Sequence, residues 1–172
     1  MLFSLLIKMK TNILNIVVAG IRWEEKWLLI NRSKGDYQKK WALVGGKLEK
    51  NEELKEAILR EISEETGLKV KWEGIKGILN ERLIEADKES NVRHFIIIVC
   101  QVSTEDGKLS LTDEGELKWF TLKDINSMKD QIIPSDYYMI SELLLKDKKT
   151  KAIEIEMVQN EEKLRLTKVH EY

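Results

Sequence analysis

Short apolar runs rich in β-branched residues alternate with polar segments along this chain and predict β-strands. The runs lie at Ile13–Ile21, Trp27–Ile30, Trp41–Val44, Val70–Leu83, Arg93–Val102 and Glu116–Phe120. The polar stretch Trp23–Lys26 predicts a hairpin turn between the first two strands, and Ser33–Lys40 predicts a loop before the third. Turns are also expected over Asp87–Asn91 and at Asp106–Gly107, the second leading into Lys108–Leu111.

Helix signals occur in three places. The segment from about Glu53 to Thr66 has apolar residues at helical spacing and ends at a glycine, which suits a left-handed C-cap. Thr121, with Asp124 three positions later, predicts the start of a second helix. An amphipathic helix is expected after Pro134, over about Asp136 to Lys146. Strands and helices alternate without repeats, which predicts an α/β (α+β) fold with a mixed sheet covered by helices on both faces.

The last part of the chain predicts a C-terminal β-hairpin appended to the core. Apolar and charged residues alternate over Ile153–Met157 and again over Leu164–Thr167, on either side of the polar turn Asn160–Glu162. We favour a strand pair that extends the sheet. The alternative is a lid over a substrate or a pairing edge between two copies, because an exposed strand edge invites pairing. A homodimer is therefore left open.

Length and charge narrow the class of protein. A chain of 172 residues is expected to form one domain, and its formal charge of −1 comes from interspersed Lys and Glu residues. A protein that binds polyanions would carry a basic stripe, so we expect no nucleic-acid partner. We also expect no membrane partner, because no apolar run reaches the length of a membrane span and Leu2–Ile7 lacks the features of a signal peptide.

Cys100 is the only cysteine, and it lies in the predicted strand Arg93–Val102. With no second cysteine and no accompanying histidine base, it is interpreted as a buried core thiol rather than a nucleophile. A single cysteine cannot form an intrachain disulfide, which makes a reducing, cytoplasmic location the expectation. His94 begins the same strand and is interpreted as an edge residue rather than a catalyst.

The predicted helix over Glu53–Thr66 carries the candidate chemistry. At about 3.6 residues per turn, Glu61, Glu64 and Glu65 share one face, and the first and last project towards the apolar stripe. Like charges this close would keep one carboxylate protonated unless a cation is bound. Hard oxygen ligands suit Mg²⁺ or Mn²⁺, and the glycine pair before the helix lets backbone approach the ion or a phosphate. The alternative interpretation is a solvated, Glu-rich helix.

The residues around this helix resemble the signature of the Nudix hydrolases. From Gly46 to Leu68 the chain reads Gly-x5-Glu-x7-Arg-Glu-apolar-x-Glu-Glu-x-Gly-apolar, and every fixed position of the signature matches. The resemblance covers roughly Leu14 to Leu145. Two nearby positions depart from the family's common residues. Val44 replaces a proline before the glycine pair, and Asn51 replaces a glycine, although Asn tolerates left-handed backbone.

The resemblance implies the Nudix fold, a mixed β-sheet sandwiched between helices, over residues 11–147. Residues 1–10 would be an N-terminal extension, and residues 148–172 a C-terminal hairpin extension of the same domain. The implied reaction is hydrolysis of the pyrophosphate linkage of a nucleoside diphosphate derivative. The implied partners are a nucleotide substrate and Mg²⁺, with Mn²⁺ as the alternative cofactor.

The resemblance also assigns roles by position. The metal ligands would be Gly46, Glu61, Glu64 and Glu65. The catalytic residues would be Glu64, Glu61, Arg60 and Glu114. Arg60 would orient a glutamate one turn away, most simply Glu64 or Glu56. Family members differ in which carboxylate is the general base, so both Glu64 and an acid of the loop Thr112–Glu116 stay open.

Aromatic and cationic residues around the signature are candidates to stack on a ring or hold phosphates. They are Trp23, Trp27, Trp41, Arg32, Arg82, His94 and Trp119. From this set Arg32, Trp41 and Arg82, together with Gly45 of the loop, are the predicted substrate-binding residues.

Sequence features typical of several Nudix subfamilies are absent from this chain. No proline or tyrosine lies between Arg82 and Glu85, where ADP-ribose and diadenosine polyphosphate enzymes carry one, and Pro134 is the only proline. The coenzyme A pattern is absent as well. Elimination therefore favours a nucleoside triphosphate pyrophosphatase that releases the monophosphate and pyrophosphate. The alternatives are an ADP-ribose or nucleotide-sugar pyrophosphatase, and a non-catalytic nucleotide sensor, against which the intact glutamates argue.

Overall fold

The structure, a computed structural model, describes residues 13–34, 37–86, 88–110, 113–146, 150–160 and 163–171. The predicted N-terminal extension over residues 1–10 lies outside this part of the chain. Asp87, Leu111 and Thr112, which belong to predicted turns and loops, lie outside it too, as do the side chains of residues 88–91 and 154.

Strands dominate the described part of the chain. They are β1 (Ile13–Trp23), β2 (Lys26–Arg32), β3 (Trp41–Ala42), β4 (Val44–Lys47), β5 (Lys71–Glu85), β6 (Lys88–Ser103), β7 (Gly115–Thr121), β8 (Lys151–Asn160) and β9 (Lys163–Glu171). The helices are α1 (Leu54–Thr66), α2 (Leu122–Ser127) and α3 (Pro134–Tyr138), with a 3₁₀ turn at Lys129–Gln131 and a π-helical continuation of α3 at Met139–Leu144. No helix in the described residues combines the length and apolarity that crossing a bilayer requires.

The described strands form one mixed sheet in the order β3-β2-β1-β6-β5-β8-β9, with β4 paired to β1 and β7 paired to β2. β1 is parallel to β6, whereas β6 is antiparallel to β5. β1 and β2 pair only beside their turn, at Arg22–Trp27 and Trp23–Lys26, because Ile16–Ala19 of β1 pairs with β4 instead. The two strands therefore diverge, and residues of both line a cavity.

Local sequence signals account for both ends of α1. At its start, the backbone N–H of Glu53 donates to the Glu56 carboxylate at 3.2 Å, one half of a capping box. At its end, Gly67 has φ of 71°, and in the loop before the helix Asn51 has φ of 62°. Both adopt left-handed backbone, as expected from their residue types. The buried face of the helix consists of Ala57, Ile58, Ile62 and Thr66.

The turn predicted at Asp106–Gly107 does not connect two strands, although the backbone N–H of Lys108 donates to Asp106 Oδ1 at 2.9 Å. Residues 104–110 form no strand, and β7 pairs with β2 instead. Hydrogen bonds to two other elements hold this segment in an irregular conformation. Ser110 donates its backbone N–H to the Thr66 carbonyl at 2.9 Å, and Trp119 Nε1 donates to the Gly107 carbonyl at 2.9 Å.

Two predicted boundaries also move. The turn expected over Asp87–Asn91 is shorter, because β6 already begins at Lys88. The last helix begins at Pro134 rather than Asp136 and changes to π-helix at Met139. A proline is favourable at the first position of a helix, since its missing N–H would have no partner there.

The C-terminal hairpin extends the sheet, as favoured from the sequence. β8 pairs in parallel with β5, and β9 pairs antiparallel with β8. The alternating side chains Ile153, Ile155 and Met157 are buried against the core. β9 is the end strand of the described sheet, and a homodimer through this edge stays a prediction.

Cys100 is a fully buried, unpaired thiol in the middle of β6, as predicted. Burial raises its pKa to about 12. The thiolate form is therefore scarce at neutral pH, which agrees with a structural rather than a nucleophilic role.

Gly45 is needed where β4 meets β1. Its φ is 155°, and a Cβ atom there would overlap the carbonyl oxygen of Val17. We expect Gly45→Ala to lower the free energy of unfolding by about 2–4 kcal/mol, because backbone strain and a clash with main chain add together. Urea unfolding measures this loss. Gly74→Ala is the matched control, since φ is 127° but no atom lies within 4 Å of the added Cβ. Equal losses in the two variants would contradict the assignment.

Candidate active site

The glycine strand β4 lies against α1 and brings main chain and carboxylate together. Gly45 and Gly46 pair with Val18 and Val17 of β1. The Glu61 carboxylate packs directly on Gly46, where a Cβ atom would overlap it. Only glycine allows this approach, so the structure brings together two residues that the sequence predicted to act jointly.

Glu65 lies one helical turn after Glu61 and lines the cavity beside β4. Its carboxylate accepts a hydrogen bond from the backbone of Gly45, while its Oε2 atom is buried with no hydrogen-bond partner among the described residues. Burial first, and the charge of Glu61 second, raise the pKa of Glu65 to about 7. An unpaired oxygen beside a second carboxylate is a place where a cation would be stabilised.

Arg60 neutralises much of the acidic cluster. Its Nε and Nη2 donate to the Glu52 carboxylate at 2.7 and 3.0 Å, and its Nη1 donates to Glu61 at 2.8 Å and to Glu64 at 3.2 Å. Nη2 also donates to the Lys47 carbonyl at 3.2 Å, which ties the helix to the end of β4. Charge-assisted bonds of this kind are stronger than neutral ones, so Arg60 orients the carboxylates it contacts.

The main partner of Arg60 differs from the sequence expectation. Glu64 does contact Arg60, but Glu56 is used to cap the start of α1 instead. Glu52 makes the shortest contact and also accepts the backbone N–H of Glu49 at 3.2 Å. Glu52 therefore braces the loop before the helix.

The donors around β4 and α1 suit a hard divalent cation. The Gly46 carbonyl and the carboxylates of Glu61 and Glu65 all offer oxygen atoms, and Glu65 Oε2 is buried without a hydrogen-bond partner among the described residues. Within the described residues no three Asp, Glu, His or Cys side chains already form a metal cage, and Arg60 holds two of the acids. The residue types therefore fit the ion.

A cavity of about 450 Å³ opens between β1 and β2 beside this cluster, within the usual size range of small-molecule sites. Its walls are mainly apolar and consist of Leu14, Ile16, Val18, Ile30, Ala42, Leu43, Phe95, Ile97, Ile133 and Met139. Apart from Arg32, its other lining residues fall into two groups. The glycine group comprises Lys34, Gly45, Gly46, Lys47, Glu65 and Glu114, and the inner acid group comprises Tyr37, Glu81, Ser135 and Asp136.

The inner acid group contains two deeply buried carboxyl groups. Glu81 is 2% exposed and Asp136 is 7% exposed. The backbone N–H of Leu43 donates to Asp136 Oδ1 at 2.6 Å, and Tyr37 Oη donates to Glu81 Oε1 at 3.4 Å. Burial raises the pKa of each carboxyl group to about 7, and in Glu81 the hydroxyl of Ser135 opposes this shift while Asp136 adds to it. Glu81 Oε2 has no hydrogen-bond partner in the described part of the chain.

Arg32, a predicted substrate-binding residue, lines the same cavity. Its Nε atom is buried and has no hydrogen-bond partner among the residues that the structure describes. Its charge lowers the pKa of Glu65 and of Asp136, in both cases against the larger effect of burial. One guanidinium therefore acts electrostatically on both polar groups of the cavity.

Glu64 and Glu114, the two candidate general bases, are the most solvent-exposed acids of the site. The side chain of Glu64 is 60% exposed and that of Glu114 is 54% exposed. Glu114 lines the cavity, and its Oε1 lies 3.8 Å from Lys34 Nζ. The charge of Glu114 also helps to raise the pKa of Glu65. Both carboxylates can therefore exchange protons with solvent.

Two of the predicted substrate-binding side chains lie away from the cavity. Trp41 packs edge-on against Phe120 in the core, with ring centroids 4.8 Å apart, and the next residue lines the cavity instead. Arg82 points away from the cavity, because successive residues of a strand point to opposite faces and Glu81 lies on the cavity side. Its Nη2 donates to Glu156 Oε2 at 3.0 Å. The other aromatic candidates outside the cavity lining are Trp23, Trp27, His94 and Trp119.

Sequence reasoning missed the inner acid group. Glu81 alternates with Leu79 and Leu83, so the period of the strand already placed a carboxyl group on a buried face. That signal was available. Asp136 follows Pro134 at a helix start, where an acidic residue is ordinary, so its burial had no sequence signal.

Comparison with known proteins points to one family. A family model described as the NUDIX domain matches residues 13–143. An ADP-ribose pyrophosphatase of Methanocaldococcus jannaschii is 33% identical over 112 residues, which cover 64% of this chain and 63% of that protein. Diphosphoinositol polyphosphate phosphohydrolase 3-alpha of Mus musculus is 29% identical over 101 residues, which cover 59% of this chain and 58% of that protein. The chain thus spans about three fifths of the length of these relatives.

Solved structures share the fold. The MutT protein from Methanosarcina mazei Go1 superimposes with a TM-score of 0.61 at 30% identity, and the match covers 75% of this chain and 90% of that one. The mixed sheet flanked by helices predicted from the sequence is therefore confirmed.

Burial of Glu81 gives the stability of the chain a pH dependence of definite sign. Its pKa is about 7 in the folded chain against an ordinary value of 4.5, so the wild type loses stability as pH rises through this window. Glu81→Gln keeps an acceptor for Tyr37 and removes the ionisable group that causes this loss of stability. We expect the free energy of unfolding of the variant to exceed that of the wild type by on the order of 1–3 kcal/mol at pH 8 and to approach it near pH 4.5. Urea unfolding at the two pH values measures the difference.

Glu156→Gln on the surface side of β8 is the matched control. It removes the same charge from a partly exposed ion pair with Arg82, and its stability relative to the wild type should not rise with pH in this way. A Glu81→Gln variant that is less stable than the wild type at pH 8 would contradict the prediction.

Proposed function

Because the chain belongs to the Nudix hydrolase family, we propose that it uses Mg²⁺ or Mn²⁺ to cleave the pyrophosphate linkage of a nucleoside diphosphate derivative. The observation that carries this proposal is the buried Oε2 of Glu65, which has no hydrogen-bond partner in the described part of the chain and lies beside a second carboxylate that packs on Gly46. A bound divalent cation supplies polarisation of the phosphoryl group and activation of water. The residues that would hold it are Gly46, Glu61, Glu64 and Glu65.

Arg60 is the proposed positioning residue of the site. Its Nη1 contacts Glu61 and Glu64 together, at 2.8 and 3.2 Å, so it sets the direction of two proposed ligands at once. Its bonds to Glu52 and to the Lys47 carbonyl fix the guanidinium relative to β4. Loss of Arg60 would leave these carboxylates without their main cationic partner.

The attacking water must give its proton to a carboxylate that solvent can reach. Glu64 is the first candidate, because it is exposed and lies one residue from Glu65 on the same helix. Glu114 is the second, because it lines the cavity from a loop opposite the helix. In either case the proton passes to the carboxylate oxygen and then to solvent.

We propose a nucleoside triphosphate as the substrate, with the monophosphate and pyrophosphate as products. A triphosphate places all its charge on one side of the nucleoside, and the lining offers Arg32, Lys34 and Lys47 as cations near the glycine strand. ADP-ribose is the second candidate, because the archaeal relative at 33% identity is an ADP-ribose pyrophosphatase.

The charges of the cavity argue against an inositol polyphosphate, although a mouse relative acts on such compounds by name. Four acids face this space, namely Glu65, Glu81, Glu114 and Asp136. A ligand with phosphates around its whole ring would place some of them next to these carboxyl groups, which costs like-charge repulsion and desolvation. A ligand with charge at one end only avoids that cost.

A panel of nucleoside triphosphates, ADP-ribose, dinucleotides and nucleotide sugars, each with Mg²⁺ and with Mn²⁺, tests the proposal. We expect the highest kcat/KM for a nucleoside triphosphate, with pyrophosphate as the second product. Glu64→Gln should lower kcat by about 10²–10⁴-fold if it is the base. Glu65→Gln should lower the rate by orders of magnitude and raise the metal concentration needed for half-maximal activity.

Glu73→Gln, an exposed glutamate on β5, is the matched control and should leave kcat and metal dependence unchanged. If Glu114→Gln lowers kcat more than Glu64→Gln does, the general base is Glu114 of the loop rather than Glu64. Tight nucleotide binding without turnover across the whole panel would rule out the enzyme and favour the nucleotide sensor.

A further inference from the structure

A second cavity, which we call the hairpin cavity, lies between α3 and the end strand β9. Its volume is about 590 Å³, within the usual range of small-molecule sites. Tyr137 and Tyr138 of α3 and Leu164 and Leu166 of β9 line it, and all four are half-buried. It shares no lining residue with the cavity beside β4. The proposed hydrolysis therefore gives the hairpin cavity no role.

The lining of the hairpin cavity has an excess of positive charge. It contains four cationic side chains and two acidic ones, Asp130 and Glu142. The cations are Lys40, Lys129, Lys163 and Arg165. Glu142 already forms an ion pair with Lys146, which lies outside the lining. Because the formal charge of the whole chain is −1, this excess is local, and it would stabilise an anion.

Lys40 is the cation best placed to hold that anion. It is half-buried, and its Nζ donates to the main-chain carbonyl of Asp130 at 2.7 Å. Lys40 forms no ion pair with any described carboxylate, and an ammonium group has three donors. A phosphate group offers three acceptor oxygens and close to two negative charges, so it suits several cations around one cavity.

The remaining lining suits the flat body of a ligand. The hydroxyl groups of both tyrosines already have partners, since Tyr137 donates to Asn126 Oδ1 at 3.1 Å and Tyr138 donates to Glu171. These bonds hold the rings in place beside the leucines of β9. An aromatic ring packs favourably against other aromatic rings as well as against aliphatic side chains. The chemistry of the cavity is therefore that of a phosphate joined to a ring.

The hairpin cavity and the cavity beside β4 lie on either side of one wall. In α3, Asp136 lines the cavity beside β4 and Tyr137 lines the hairpin cavity. In the neighbouring segment, Lys40 lines the hairpin cavity and Leu43 lines the cavity beside β4. The backbone N–H of Leu43 donates to Asp136 Oδ1 at 2.6 Å and joins the two segments. A ligand that shifts Lys40 or Tyr137 therefore acts on the wall of the neighbouring cavity.

We propose that the hairpin cavity is an effector site that binds a small phosphorylated ring compound. The phosphate pairs with Lys40, and the ring lies against Tyr137 and the leucines of β9. Occupancy changes the affinity for substrate through the shared wall. The binding itself does not depend on the proposed function, whereas its effect on turnover rests on it.

Calorimetric titration without metal tests the binding. The probes are phenyl phosphate and hexyl phosphate, which carry the same phosphate on a ring and on a flexible chain. The wild type is expected to bind phenyl phosphate more tightly. Lys40→Gln is expected to weaken the binding of both probes by about 10-fold, because a hydrogen bond between charged groups is lost, and Lys40→Arg should restore most of it.

Lys39→Gln is the matched control, since it removes the same charge from the adjacent residue, which lines neither cavity. It should bind both probes as the wild type does. Unchanged binding in Lys40→Gln would place the probes elsewhere and overturn the proposal. Equal losses in the two glutamine variants would overturn it too, because they would reflect net charge alone.

The role of the ring is tested at Tyr137. In Tyr137→Leu the preference for phenyl over hexyl phosphate is expected to fall by about 2–10-fold, because the contact between rings is lost. Tyr137→Phe keeps the ring, loses only the hydrogen bond to Asn126, and should keep the preference. An unchanged preference in Tyr137→Leu, or tighter wild-type binding of hexyl phosphate, would contradict the assignment of a ring compound.

The effect on turnover is measured with the substrate that the wild type hydrolyses best. Saturating phenyl phosphate is expected to change KM by about fivefold or more, with little change in kcat, because the proposed metal ligands lie on β4 and α1 rather than on the shared wall. Lys40→Gln should keep the basal kcat and lose this response. An equal response in Lys40→Gln would indicate competition in the cavity beside β4, and binding without any change in KM would overturn the effector role. If the wild type hydrolyses nothing, the calorimetric results still decide whether the hairpin cavity binds such a compound.

Discussion

The contact between the Glu61 carboxylate and the main chain of Gly46 is the constraint on which the rest of the site depends. It requires a glycine in β4, a helix whose acidic face turns towards that strand, and a cation to offset the gathered charge. Arg60 supplies part of that charge from within the chain, through Glu52, Glu61 and Glu64. Among the described residues Glu65 Oε2 has no hydrogen-bond partner, and it is the oxygen at which we propose that the metal binds.

The cavity follows from the way the sheet is built. β1 and β2 form only two residue pairs, beside their turn, and the preceding part of β1 pairs with β4. The two strands therefore separate, and side chains of both line the cavity. The two polar groups of that space have different characters. The glycine group contains the cations Lys34 and Lys47 and the exposed acid Glu114, whereas both acids of the inner acid group are buried. Arg32 acts on the carboxyl groups of both.

Raised pKa values near 7 occur in both polar groups, but for different reasons. The pKa of Glu65 is raised by burial and by the neighbouring charge of Glu61, so a bound cation would remove much of the shift. The pKa values of Glu81 and Asp136 are raised mainly by burial, and the charge of Asp136 raises the pKa of Glu81 further. Their cost to stability therefore persists whether or not a metal is bound.

The sequence by itself determined the elements and the acidic face of α1, because these depend on local periodicity, on caps such as Gly67, and on a signature of fixed spacing. Only the tertiary structure decided which side chains meet. Trp41 turned into the core and Arg82 to the opposite face of its strand, while Glu81 and Asp136, 55 positions apart, came together in one cavity. The physical reason is that burial and charge pairing depend on contacts between distant segments, and no local pattern along a chain records which segments will pack against each other.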